Sequence, residues 1–321
     1  MRLRGSSRYG SARYRAVRVA ASAAVAAAIA ATGAQASSAQ SPPGPAPSTA
    51  GVHAAALPPT DRGGSCSGVS GQGYWEVASD GGIFSYGTAG FYGSQGGKPL
   101  NKPIVAMAPS VDGRGYLLVA SDGGIFTFGD APFKGSEGGS HLNAPIVGMA
   151  ATPDGQGYWE VASDGGIFTF GDASFLGSMG GMHLNAGIVG MAATADGRGY
   201  WLVASDGGIF TFGDANFFGS TGGERLNQPI VGISASRNGN GYVMTASDGG
   251  IFNFGPGATF YGSKGGAPLN RPVEGVAGTF PGNGYTLSAS DGGIFTFGDS
   301  HFCGSAGNIT LNKPVVGIAY F

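Results

Sequence analysis

The chain has 321 residues, 64 of them glycine, with 11% charged side chains, 11% aromatics and a formal net charge of −2. That much glycine without a strict Gly-x-y period excludes collagen and points to many tight turns, while the aromatic content excludes general disorder. A near-neutral, lysine-poor chain offers no basic surface, so neither nucleic acid nor an anionic membrane is expected as a partner.

Residues 1–36 read as an export signal. Arg2, Arg4, Arg8, Arg13, Arg15 and Arg18 form a basic leader without acidic residues, the apolar stretch VAASAAVAAAIAAT follows at 19–32, and Ala34-Gln35-Ala36 fits a small-residue cleavage site. The alternative is an uncleaved anchor, but 14 alanine-rich residues are short for a bilayer span. With no adjacent arginine pair, a twin-arginine route is not indicated. The expected destination is outside the cell or on its surface, without membrane insertion once the signal is removed. Residues 37–62, rich in Ser, Pro and Ala, have little to bury and read as a disordered linker in which His53 is solvated.

Residues 63–321 carry a repeat. The aspartates of its SDGG turns are Asp80, Asp122, Asp164, Asp206, Asp248 and Asp291, spaced 42, 42, 42, 42 and 43 residues apart, the extra residue lying in FGPGATFYG at 254–262. The unit at 145–186 contains four β-type runs, PIVGMAAT, GYWEVAS, GIFTFG and SFLGS, separated by turn sequences. Asp-Gly between apolar runs is the chemistry of a two-residue hairpin turn, because glycine accepts positive φ. Each unit is therefore expected to be a four-stranded antiparallel meander. Its strands are apolar on both faces, so each sheet must pack between neighbours, and repeated four-stranded units of this length describe a β-propeller. The Gly- and Ala-rich first run suits a crowded inner strand.

The chain ends point to closure. The first unit begins at GYWEVAS, without a first strand of its own, and the sequence ends on PVVGIAYF at 314–321, a first strand with nothing after it. The expected fold is all-β, a six-bladed propeller in which 314–321 completes blade 1. An open solenoid of stacked hairpins is the alternative. PIVGMA…DG…Y followed by GGIFTF resembles NHL-type propeller blades, and GYWLVASDGGIFTFGD at 199–214 is similar to repeats of secreted actinobacterial proteins. The resemblance covers 66–321 and implies the fold, whereas one fold hosts many functions.

Cys66 and Cys303 flank the expected seam. A disulfide there would staple the ring, unless one cysteine faces the inner edge and the other the rim. No metal or cofactor is expected, because histidines do not cluster with the cysteines and the turn aspartates lack the alternating oxygens of a calcium loop. The SDGG aspartates are expected to shape turns. A specific site should lie where the units differ. Glu76 and Glu160 replace Leu118, Leu202, Met244 and Leu287, and a carboxylate there is costly to bury. Trp75, Trp159 and Trp201 are core residues or sugar platforms. His141 and His183, in equivalent inter-unit loops, could share a ligand or be solvated. No nucleophile elbow, zincin helix or phosphate loop is present. The leading expectation is a secreted, non-enzymatic propeller that binds a glycan or surface protein. A hydrolase or lyase with one asymmetric site at the ring's mouth, and a structural spacer, are the alternatives.

Overall fold

The computed structural model describes Cys66, residues 73–279 and residues 282–321. The expected signal, the linker and His53 lie outside the described residues. All regular elements described are β-strands. The first two are β1 (Gly73–Ala78) and β2 (Ile83–Gly87). Then come β3 (Ile104–Pro109), β4 (Gly115–Ala120) and β5 (Ile125–Gly129), followed by β6 (Ile146–Ala151), β7 (Gly157–Ala162) and β8 (Ile167–Gly171). β9 (Ile188–Ala193), β10 (Gly199–Ala204) and β11 (Ile209–Gly213) precede β12 (Ile230–Ala235), β13 (Tyr242–Ala246) and β14 (Ile251–Phe254). The last are β15 (Val273–Gly278), β16 (Gly284–Ala289), β17 (Ile294–Gly298) and β18 (Val315–Tyr320).

These strands form six three-stranded antiparallel sheets in a propeller-like arrangement. Five are consecutive triplets; the remaining one, sheet 1, is ordered β18-β1-β2, with Trp75 opposite Ala319 and Glu76 opposite Ile318. The C-terminal run thus supplies the missing first strand, as its sequence implied. Sheets 2 to 6 follow in chain order.

No fourth strand is found among the described residues. The run ending each unit (residues 172–178 in sheet 3) forms no ladder with its own third strand. Its polar groups are engaged by the next sheet instead. Lys134 N–H donates to the Tyr158 hydroxyl at 3.1 Å, and that hydroxyl donates to the Gly135 carbonyl. The same two bonds recur at Tyr74, Tyr116, Tyr200, Tyr242 and Tyr285. Gly135 must be glycine for a second reason: its φ is 139°, and a Cβ there would lie 2.5 Å from the Phe170 ring of the next sheet.

The hairpin turn is also longer than the expected two-residue loop. Gly123 N–H donates to Ala120 O and Ala120 N–H to Gly124 O, so the turn spans Ser121 to Gly124, with Gly123 at φ 76°. The serine peptide in this turn joins neighbouring sheets: Ser121 N–H donates to Pro103 O, and Ile146 N–H to Ser121 O. Ser79, Ser163, Ser205, Ser247 and Ser290 do the same. Ser79 links Pro314, just before β18, to Ile104 of β3. The first strands of successive sheets lie side by side, β18 against both β15 and β3.

Every residue of the second strands is buried, while the third strands are mostly half-buried. The core lies between sheets rather than within one. Apolar clusters fill the contacts from sheet 1/2 through 5/6, for example Leu117, Val119, Ile146, Met149 and Tyr158 between sheets 2 and 3. The 6/1 contact is more polar: the Tyr320 hydroxyl bonds Thr286 at 2.8 Å and Ser300 at 3.0 Å, and Thr286, Ser288 and Glu76 are fully buried.

Candidate functional site

The repeated aspartates shape turns. In all six copies the Oδ1 of the SDGG aspartate accepts the N–H of the glycine two residues on, as Asp122 does from Gly124 at 3.1 Å. A second set stitches the turn between first and second strands. Asp154 accepts from Gln156 N–H and Thr152 Oγ1, which hold its carboxyl below the usual range. Asp196, bonded by Thr194 and Arg198 N–H, is lowered likewise. Among the described residues no three His, Cys, Asp or Glu side chains are placed to hold a metal ion.

Trp75, Trp159 and Trp201 are wholly buried. Each indole sits against the tyrosine of the next sheet, with centroids 5.5, 5.7 and 5.6 Å from Tyr116, Tyr200 and Tyr242. Each Nε1–H donates to a fourth-run carbonyl: Gly90 at 2.7 Å, Ser174 and Asn216 at 2.8 Å. With no ring face free, these residues pack sheets together rather than offer sugar platforms. The equivalent positions carry Leu117, Val243 and Thr286.

Glu76 and Glu160 are also fully buried, and none of their carboxyl oxygens has a hydrogen-bond partner among the described residues. Glu160 faces the preceding sheet's turn, its Oε2 3.1 Å from where a Gly123 Cβ would stand. Burial, reinforced by Glu137 and Asp122, pushes it up to about 8. Glu76 is also pushed well up by burial, opposed by the Ala306 backbone and the Tyr86 hydroxyl and reinforced by Asp291. Those two opposing groups stand close enough to act on its charge without reaching hydrogen-bond geometry. The two glutamates occupy different inter-sheet contacts and do not meet.

His141 and His183 are exposed in separate loops. Cys66 and Cys303 are joined in a disulfide, Cα atoms 5.4 Å apart, so the inner-edge and rim separation considered from sequence does not arise.

Reading residues one at a time missed a feature of the fourth runs. Phe91, Phe133, Phe175, Phe217 and Phe260 hold the same place in five fourth runs and are 43–62% exposed. The cause is local. Ser174 O is held by Trp159 and Leu176 N–H by Tyr200, so the extended segment turns the intervening Phe175 outward. Gly90 and Tyr92 flank Phe91 in the same way, as Asn216 and Phe218 flank Phe217. The sixth equivalent, Phe302, is half-buried beside Cys303. The signal was in the sequence, as a phenylalanine recurring where a core needs none. No protein-family model and no curated protein matches the chain.

Proposed function

We propose that the six sheets close into a six-bladed propeller that works outside the cell as a non-enzymatic binding module for a repeating surface or wall polysaccharide. The carrying observation is the set of five equivalent exposed phenylalanines. Large apolar side chains exposed in register on a sparsely charged scaffold mark contact sites, and each ring can cover the apolar face of one sugar. One such contact is weak. Several on one rigid body, facing a polymer that repeats, gain strength through linkage. The disulfide fits an oxidising compartment. A hydrolase or lyase reading gains nothing from Glu76 and Glu160, which are sealed in separate contacts.

Retention of the secreted full chain on cell-wall and insoluble polysaccharide fractions tests this. Soluble fragments of the same polymer should compete. One Phe→Ala change should weaken retention by roughly two- to fivefold, and all five together should abolish it. Absence of retention on every polysaccharide, or retention indifferent to the five changes, overturns the proposal; retention on wall protein alone would replace the glycan with a protein partner.

A further inference from the structure

The slot occupied by tryptophan in three sheets is treated differently in the others. In sheet 6, where Thr286 is too small to fill it, Tyr320 enters from β18, its ring tilted 5.4 Å from Tyr74 and its hydroxyl bonded to Thr286. In sheet 2 no side chain takes over. Leu117 leaves a cavity of about 280 Å³ between sheets 2 and 3, lined by Pro109, Val111, Pro132, Ala151 and Tyr158 among others. Its size falls near the lower end for small-molecule sites, enough for one fused ring.

Both groups that receive an indole elsewhere are kept here. Tyr158 holds the place of Tyr116, Tyr200 and Tyr242, against whose rings the three tryptophans pack edge-on or tilted. Pro132 holds the place of Gly90, Ser174 and Asn216, whose carbonyls accept the indole N–H. Being a proline it has no N–H to place, and its carbonyl takes no hydrogen bond among the described residues. The charged residues that line the lip are carboxylates, with two basic side chains beside them. Asp112, Asp130 and Asp154 line it, Arg114 stands 3.7 Å from Asp112, and Lys134 Nζ donates to Gln156 Oε1. The two basic side chains offset part of the carboxylate charge, and the ligand class is set by the apolar interior and the Tyr158 ring.

We propose that this cleft binds an indole-bearing ligand, its ring against Tyr158 and Leu117 and its N–H donated to the Pro132 carbonyl. The site is independent of the exposed phenylalanines, because it arises from a departure from the repeat rather than from the repeat itself. An indole can arrive free or as a tryptophan side chain, so the test has two arms.

Methyl NMR of the full chain, titrated with indole and separately with N-acetyltryptophanamide, reads the site directly. Saturable shifts are expected at the Val111, Leu117 and Ala151 methyls. Saturation by indole alone marks a free aromatic ligand; saturation by both admits a side chain. N-acetylphenylalaninamide, lacking the ring N–H, should bind about fivefold more weakly than the tryptophan amide, the worth of one hydrogen bond. L117W fills the slot from within, as three other sheets do, and should weaken indole binding at Val111 and Ala151 by more than about tenfold. Undiminished binding in L117W, or no saturable shift at these methyls in the unsubstituted protein, overturns the proposal. The second result stands whether or not the variant folds.

Discussion

Glu160 occupies a second-strand position that is Leu118, Leu202 or Leu287 in three other sheets. Its carboxyl is buried without a hydrogen-bond partner among the described residues and is pushed from 4.5 up to about 8 by burial, then by Glu137 and Asp122. A folded-state value above the unfolded one means that the native state holds the proton more tightly. The group therefore costs least below about pH 4.5, and stability is lost as pH rises towards 8, beyond which the full penalty applies. Glu160→Leu should accordingly gain stability that grows with pH, by on the order of 4 kcal/mol between pH 4 and pH 9. Denaturant unfolding at the two pH values measures the difference; an equal gain at both would show that Glu160 ionises in the fold without cost. Glu76 works in the same direction. The two substitutions were visible in the repeat, but their burial was not. Alternation assigns a residue to a face, and only the neighbouring sheet decides whether that face is covered.

At the scale of the element, the fourth run depends on the next unit. Its N–H and C=O groups are bound by one tyrosine hydroxyl 23 or 24 residues ahead, Tyr158 in the case of Lys134 and Gly135. Tyr158→Phe keeps the ring and removes both bonds, leaving a carbonyl and an amide unpaired, and should cost roughly 1–3 kcal/mol in denaturant unfolding. A cost no larger than that of an exposed Tyr→Phe change would mean that the run is held by Phe170 on Gly135 instead. The strands themselves were readable. GYWEVAS and GIFTFG became β7 and β8, and the Asp-Gly bend between them was placed correctly, though the turn is longer than expected. SFLGS became no strand because a β-type sequence specifies an extended backbone without naming its partner. Here the partner is a side chain in another unit.

Across the whole molecule the contacts between sheets are unequal. Apolar clusters bind sheets 1 through 6 in succession, whereas the 6/1 seam relies on Tyr320, Thr286, Ser300 and the Cys66–Cys303 bond. That bond spans 237 residues and limits the unfolded chain strongly, by up to about 5 kcal/mol on chain-entropy grounds. Reduction should lower the melting temperature and speed amide exchange in β18 and β1 before the other strands; uniform exchange across all sheets would show that the seam is no weaker than its neighbours. The pairing of β18 with β1 was legible because the two end fragments complement each other. The seam's polarity was not, since Thr286 and Tyr320 lie 34 residues apart and meet only in the fold.

The serine-peptide bridges have one more consequence. From Ser79 to Ser290 each turn makes the same pair of bonds, one with the residue before its own sheet's first strand and one with the first strand of the next sheet, so no turn is marked out as first or last. In the proposed ring the break between β18 and β1 is a nick in a repeating pattern. A circularly permuted chain, opened between β5 and β6 with the present ends joined, would keep every one of these bridges.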